Sequence, residues 1–195
     1  MDVLGVIAAY FIGSIPFALL LARRWGAGDL HRIGSGNIGA ANVLRASGVK
    51  AGLLVAALDV GKGAAGVMVA GLVGGQGTVP ALAGLAAVVG HIYPLWLRFR
   101  GGKGVATACG AFSVLAPMAA LPVLTVFVTA VWWTKYVSAG SVLASLLLPP
   151  IALLTGSSLA VVLSSSAAAG LIVFRHRSNL MRIKLRQERR FGARA

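Results

Sequence analysis

Acidic residues are nearly absent. The 195 positions hold four, Asp2, Asp29, Asp59 and Glu188. That scarcity excludes catalysts built on a pair of carboxylates, such as glycoside hydrolases, and it excludes a carboxylate cage for magnesium. No metal or other cofactor is expected, and any phosphate the chain binds has to be held by cations and backbone. Cysteine is also scarce: Cys109 stands alone, which rules out a disulfide within the chain and a zinc-type cluster. In its apolar surroundings it is expected to be a small core residue. Charge of either sign makes up only 11% of the chain.

What remains is apolar and cationic. Hydrophobic residues make up 58% of the chain and glycine occupies 26 positions, a composition of the bilayer rather than of a soluble domain. The 18 lysines and arginines give a net charge of +14. They sit in short gaps between long apolar runs rather than on one polar face. This argues against nucleic acid and for membrane lipids and small anions as partners.

A membrane helix needs about 20 apolar residues, so Val3–Ala22, Ala51–Gly74 and Val79–Leu97 each read as one span. Val105–Thr134 reads as a hairpin turning near Pro117, and Val137–Phe174 as two helices broken at Thr155–Ser158. With that count every Lys and Arg except Lys62 falls on one side, as the positive-inside rule requires. The expectation is an all-α integral membrane protein with seven transmembrane helices, some short, the N-terminus outside and the C-terminus cytoplasmic. Residues 1–195 form a single polytopic domain. Asp2 stands where a signal peptide would carry positive charge, so the first apolar run is expected to be retained.

Three basic clusters carry the polar chemistry. The first is SGNIGAANVLR, Ser35 to Arg45. Taken with Gly34, its Gly36 and Gly39 satisfy the spacing of a dinucleotide fingerprint but follow a membrane span rather than a strand, so they read as an anion nest. Ser35, Asn37 and Asn42 supply neutral donors, and Arg45 a forked guanidinium. The second is GHIYPLWLRFRGGKGVAT, Gly90 to Thr107, where Gly101, Gly102 and Gly104 bracket Lys103. It lacks the serine or threonine of a nucleotide P-loop, and no nucleotide is implied. Its glycines let backbone N–H groups turn toward an anion at the start of a helix. His91 reads as a hydrogen-bonded structural residue. The third is HRSNLMRIKLRQE, His176 to Glu188, in which His176, Asn179 and Arg182 recur every three residues and share a face on a helix. Glu188 reads as structural, pairing with nearby arginines, and the remaining arginines of the tail as lipid contacts. Within the apolar runs, Asp59 and Lys62 lie three apart on one helical face, where they neutralise one another or lead toward a site.

Taken together, these three motifs resemble the bacterial membrane acyltransferases that move a fatty acyl group from acyl-phosphate to glycerol 3-phosphate, and the resemblance covers almost the full length. DVGKG at Asp59–Gly63 and KYVSAGS at Lys135–Ser141 are similar to family sequence as well. Two positions depart from the pattern: Ala41 stands where threonine is common, and Arg186 where the third motif usually has glycine.

The resemblance implies an enzyme of phospholipid biosynthesis in the bacterial cytoplasmic (inner) membrane, multi-pass, with its active site facing the cytoplasm. Its partners would be acyl-phosphate, glycerol 3-phosphate and the enzyme upstream that forms the acyl-phosphate. Ser35, Arg45, Lys103, His176 and Asn179 are the catalytic candidates. Gly36, Asn37, Asn42, Gly101, Gly102, Gly104, Ser141 and Arg182 are the phosphate-binding ones. The donor headgroup is assigned to the first two motifs. Glycerol 3-phosphate is assigned to the other side of Lys103, with His176, Asn179, Arg182 and Ser141. No histidine here has an aspartate five residues later, so the dyad of the soluble-faced glycerolipid acyltransferases is absent. The competing class is a membrane transporter of a phosphorylated solute, which would also need glycine-broken helices and anion sites, but near the bilayer midplane.

Overall fold

The structure is a computed structural model that describes residues 2–24, 30, 36–73 and 76–192. Ten α-helices and one 3-10 turn are present among the described residues, and no strand. They fall into two compact units, 1–115 and 116–195.

The first unit holds α1 (Asp2–Gly13), α2 (Phe17–Arg24), α3 (Ala40–Ser47), α4 (Val49–Leu72), α5 (Val79–Ile92), the 3-10 turn Leu95–Leu97 and α6 (Val105–Leu115). Helix α4 is its centre, packing against α1, α3, α5 and α6. The contact surfaces are made of small residues. Gly63 of α4 lies on the carbonyl of Thr107, and Gly110 of α6 on the carbonyl of Val60, so a side chain at either position would meet backbone. Gly13 and Gly90 bring α1 and α5 together in the same way, on Ala87 and Tyr10. Lipid gives no hydrophobic incentive for helices to associate, so close backbone approach through small residues supplies the dispersion contacts instead. Larger side chains point outward: Leu4, Leu53, Met68 and Leu82 are exposed, while Ala9, Ala70 and Ala83 form one fully buried cluster. Cys109 is exposed on α6, not the core residue expected, because the inward face of this short helix is taken by Ala108, Gly110 and Ala111.

The first apolar run is one span by length, Val3–Arg24, but it is broken between α1 and α2. Pro16 has no N–H to continue the ladder, and the carbonyls at the break are bonded from elsewhere. Lys62 Nζ donates to the oxygen of Ile15 at 2.7 Å, and Trp96 Nε1 to the oxygen of Ser14 at 3.0 Å.

The second unit holds α7 (Pro117–Thr134), α8 (Val137–Leu154), α9 (Leu159–Arg175) and α10 (Arg177–Lys184). Helix α8 packs against both α7 and α9, and Gly140 takes the close approach to Phe127 and Val131. Breaks occur where the sequence placed them. One is at Ala116, before a proline in the first helical turn; the other is at Thr155–Ser158, with Gly156 at φ +80° and the hydroxyl of Ser158 capping α9.

Five helices are long and apolar enough to cross a membrane, or six if the bent pair α9 and α10 counts as one. Helix α6, at 11 residues, extends roughly 16 Å and falls well short of the ~30 Å hydrocarbon core. Replacing Gly110 by alanine is expected to destabilise the protein by about 1–3 kcal/mol, since the new methyl meets the Val60 backbone. Alanine at Gly71, which has open space beside it, is expected to leave stability unchanged or slightly raised. Thermal unfolding in detergent checks both.

Candidate active site

Each unit carries part of the predicted constellation. In the first unit, Gly36, at φ +66°, and Asn37 lead through the buried Ile38 into α3, which carries Arg45 exposed in its last turn. Asn42 is not the outward donor expected of it. It is buried, and its amide donates to the carbonyl of Leu30 at 3.0 Å, fastening the loop before α3. Ser35 lies outside the described residues, as do His31 and Arg32.

The glycine loop also differs from expectation in a specific way. The N–H of Gly101 donates to Ile92 O at 3.0 Å and that of Gly102 to His91 O at 3.1 Å, so both turn back onto the C-terminal end of α5 rather than toward an anion. These glycines are required by packing. A Cβ at Gly101 would strike the His91 carbonyl, and one at Gly102 would strike His91 Nε2 and lie 2.6 Å from the Ile38 carbonyl. Gly104, at φ +86°, is a conformational requirement. It opens α6, whose first-turn amides, Val105 to Thr107, lie beyond the reach of an earlier turn of helix. Lys103, half-buried, stands between the folded-back glycines and that helix end. The contact of Gly102 with Ile38 brings the first and second motifs together within this unit.

Beneath the loop lie the intramembrane charges. Lys62 Nζ sits 2.8 Å from Asp59 Oδ1, and His91 Nδ1 sits 3.6 Å from the same oxygen. All three side chains are buried, and they line a recess at the break between α1 and α2 together with Ile15, Pro94 and Gly102.

In the second unit the third motif is organised by an acid. Glu188 accepts three hydrogen bonds: from Ser138 Oγ at 2.8 Å, from Asn179 Nδ2 at 2.6 Å and from Arg182 Nε at 2.7 Å. Burial raises its pKa, but those three donors and the charge of Arg182 outweigh it, holding the carboxyl below the usual 4.5. Glu188 therefore pairs with an arginine as expected, and the sequence reading missed that Asn179 and Ser138 hang on it too. Two signals pointed there: Glu188 is the single acid of the tail, and Ser138 is one helical turn before Ser141. Ser141 itself donates to Val137 O of its own helix at 2.8 Å.

His176 does not share a continuous helix with Asn179 and Arg182. It caps α9 at a 53° bend, and the other two ride on α10. It is buried, with Nδ1 2.8 Å from the carbonyl of Ile172. A carbonyl can only accept, so Nδ1 carries a proton in this contact.

Comparison with known proteins places this architecture. A family model described as glycerol-3-phosphate acyltransferase matches residues 3–185. The chain belongs to the glycerol-3-phosphate acyltransferase family. Curated glycerol-3-phosphate acyltransferases of Syntrophotalea carbinolica and Roseobacter denitrificans are 43% and 44% identical to it, over 96% of this chain and 96% and 92% of theirs. The crystal structure of PlsY (YgiH), an integral membrane glycerol 3-phosphate acyltransferase, in its glycerol 3-phosphate form is 38% identical with a TM-score of 0.93. The match covers 98% of this chain and 96% of that one. The lysophosphatidic acid form of the same enzyme matches with a TM-score of 0.90. The protein is thus an integral membrane glycerol-3-phosphate acyltransferase, an enzyme of phospholipid biosynthesis. Family membership decides against the transporter.

The glycine that Arg186 replaces in the acyltransferase pattern has a structural reason. Arg186 has φ +57°, and around it Gln187 N bonds Arg182 O at 2.7 Å while Arg186 N bonds Ile183 O at 3.0 Å, which is a Schellman end to α10. This turn brings Glu188 back onto Asn179 and Arg182. Arg186→Gly is expected to stabilise the protein by roughly 0.5–1 kcal/mol by relieving the left-handed backbone, measured as a raised unfolding temperature. For Glu188 the folded pKa is depressed, so its stabilising contribution is full above about pH 4.5 and is lost as pH falls through the folded value. Glu188→Gln is expected to lower stability at pH 7 by about 1–2 kcal/mol and to flatten the acid limb of the pH–stability curve. Melts between pH 7 and pH 3 check both outcomes.

Proposed function

We propose that this protein transfers a fatty acyl group from acyl-phosphate to the 1-hydroxyl of sn-glycerol 3-phosphate, giving 1-acyl-glycerol 3-phosphate and inorganic phosphate, the first acylation of phospholipid biosynthesis. One observation carries the reading. PlsY, to which this chain is similar over nearly its whole length, was solved in a glycerol 3-phosphate form and a lysophosphatidic acid form, the acceptor and product of such a transfer. An acyl-phosphate donor agrees with the chain's chemistry. The donor is a mixed anhydride with a good leaving group, so the protein mainly has to position two phosphate-bearing substrates and neutralise the charge that leaves.

In the transfer, the 1-hydroxyl oxygen attacks the acyl carbonyl carbon, the carbon–oxygen bond to phosphate breaks, and phosphate leaves with the electron pair. The donor headgroup lies against Ser35, Gly36, Asn37, Arg45, Lys103 and the start of α6 after Gly104. Gly101 and Gly102 shape that loop. Glycerol 3-phosphate is the ligand assigned to His176, Asn179, Arg182 and Ser141 of the second unit. The hydroxyl proton goes to the leaving phosphate, and His176 Nε2 accepts a hydrogen bond that orients the hydroxyl. Residues 1–195 act as one domain, since the family model runs through both compact units. The chain crosses the inner membrane seven times, α6 being the short crossing, with the N-terminus outside and the basic loops and active site on the cytoplasmic side, as the positive-inside rule favours. The enzyme upstream that makes the acyl-phosphate is the partner that delivers it.

Purified protein given palmitoyl-phosphate and glycerol 3-phosphate is expected to release inorganic phosphate and lysophosphatidate in equal amounts, and Lys103→Ala to lose about 100-fold or more of the rate. A well-folded wild type that is inactive with palmitoyl-phosphate but active with acyl-coenzyme A would overturn the donor. His176→Gln is expected to retain substantial turnover; its complete inactivity would make His176 the base.

A further inference from the structure

The buried cluster of Asp59, Lys62 and His91 has no part in the transfer just described, yet it lies directly under the loop that carries Lys103. We propose that Asp59 and His91 are positioning residues that fix the Gly101–Gly102 segment and, through it, Lys103; the inference rests on Lys103 meeting a substrate phosphate.

His91 is engaged on both ring edges and through its backbone. Its Nδ1 edge faces Asp59 Oδ1 at 3.6 Å, and its own carbonyl accepts the N–H of Gly102 at 3.1 Å. Its Nε2 edge fills the space where a side chain at residue 102 would stand. The backbone contact would be made by any residue at this position; the filling of the space beside Gly102 by the Nε2 edge belongs to the imidazole alone, and a residue that merely fastened α4 to α5 would not need it. Gly102 touches the Ile38 carbonyl on its remaining side, so the position of the imidazole also sets the distance between the two basic loops.

Asp59 in turn faces the ring at 3.6 Å, and its own position is fixed by Lys62, which bridges from Asp59 Oδ1 to the Ile15 carbonyl at the break in the first span. The line of contact thus runs from the broken span through Lys62, Asp59 and His91 to Gly102, and Lys103 is the next residue. A charged pair inside an apolar bundle is costly to keep, and the positioning of a catalytic cation accounts for keeping it.

The test uses the full chain in nanodiscs. His91→Leu removes both polar ring edges and leaves the Asp59–Lys62 pair intact. Asp59→Asn combined with Lys62→Met removes the carboxylate without stranding a buried cation. In both variants amide hydrogen exchange at Gly101 and Gly102 is expected to quicken at least tenfold, with α8 and α9 unchanged. The kcat/KM of His91→Leu is expected to fall at least tenfold beside Lys103, but less than threefold in a Lys103→Ala background, because two groups acting through one another are non-additive. Unchanged exchange at the loop, acceleration spread equally through α1, α4 and α5 in both variants, or equal kinetic losses in the two backgrounds would each overturn the proposal. If Lys103→Ala keeps wild-type turnover while His91→Leu still loosens the loop, the phosphate role of Lys103 fails and the anchoring of the loop stands.

Discussion

Every backbone polar group in the hydrocarbon needs a partner, and the first unit is arranged around the place where its own helix cannot supply one. Pro16 breaks the first span; the carbonyl of Ser14 is taken by Trp96 Nε1, and that of Ile15, which also accepts the Phe17 N–H at 3.1 Å, by Lys62 Nζ. An unsatisfied carbonyl in lipid costs several kcal/mol. A buried lysine is therefore tolerable only if its charge is balanced, and Asp59 at 2.8 Å balances it. Trp96 belongs to the turn that leads into the glycine loop, and Tyr10 donates to Tyr93 O just before that turn. The break in α1–α2, the intramembrane ion pair and the turn that leads into the glycine loop are one hydrogen-bonded arrangement.

Glycine serves two physical purposes in this chain. In α4, α5 and α6 it lets backbone meet backbone, and the buried residues around it are mostly alanine and valine. In the loop before α6 it does the same job on a smaller scale, letting Gly101 and Gly102 fold flat against the end of α5, and only Gly104 is demanded by its dihedral angle. The loop therefore presents Lys103 and a helix start rather than a row of glycine amides. A loop whose amides already have partners is rigid before substrate arrives, which lowers the cost of orienting a phosphate on it.

Much of this was legible from residue pattern because the signals are local. Apolar runs interrupted at Pro117 and at Thr155–Ser158 gave the helix breaks, and the i, i+3 spacing of Asp59 and Lys62 put them on one helical face, leaving pairing and a path to a site as alternatives until the structure paired them. What was not legible depends on partners distant in the chain. Nothing near Gly101 or Gly102 indicates that their amides bond back to Ile92 and His91. Nothing near Asn42 indicates Leu30, or near Lys62 the carbonyl of Ile15, 47 positions earlier. The shared face read for His176, Asn179 and Arg182 assumed an unbroken helix, and the 53° bend at His176 removed that assumption. Arg186 reads in the sequence only as a departure from the usual glycine; the structure supplies the reason glycine suits that position, a left-handed backbone.

The scarcity of acids follows from the same chemistry. Of the four in the chain, the two whose side-chain contacts are described both hold other groups in place. Asp59 fixes Lys62 and faces His91; Glu188 gathers Ser138, Asn179 and Arg182. Each is buried and already engaged by its donors, so neither is set up to exchange a proton with substrate. In the proposed reaction the site attracts two phosphates, and every carboxylate that competes for the same cations lowers that affinity, since the attraction scales with uncompensated charge. The two acids with described side chains thus each pin donors from behind. On the proposed topology and reaction, the +14 of the chain is a functional quantity as well as a topological one: it favours the basic loops on the cytoplasmic side and leaves them underneutralised toward substrate phosphate.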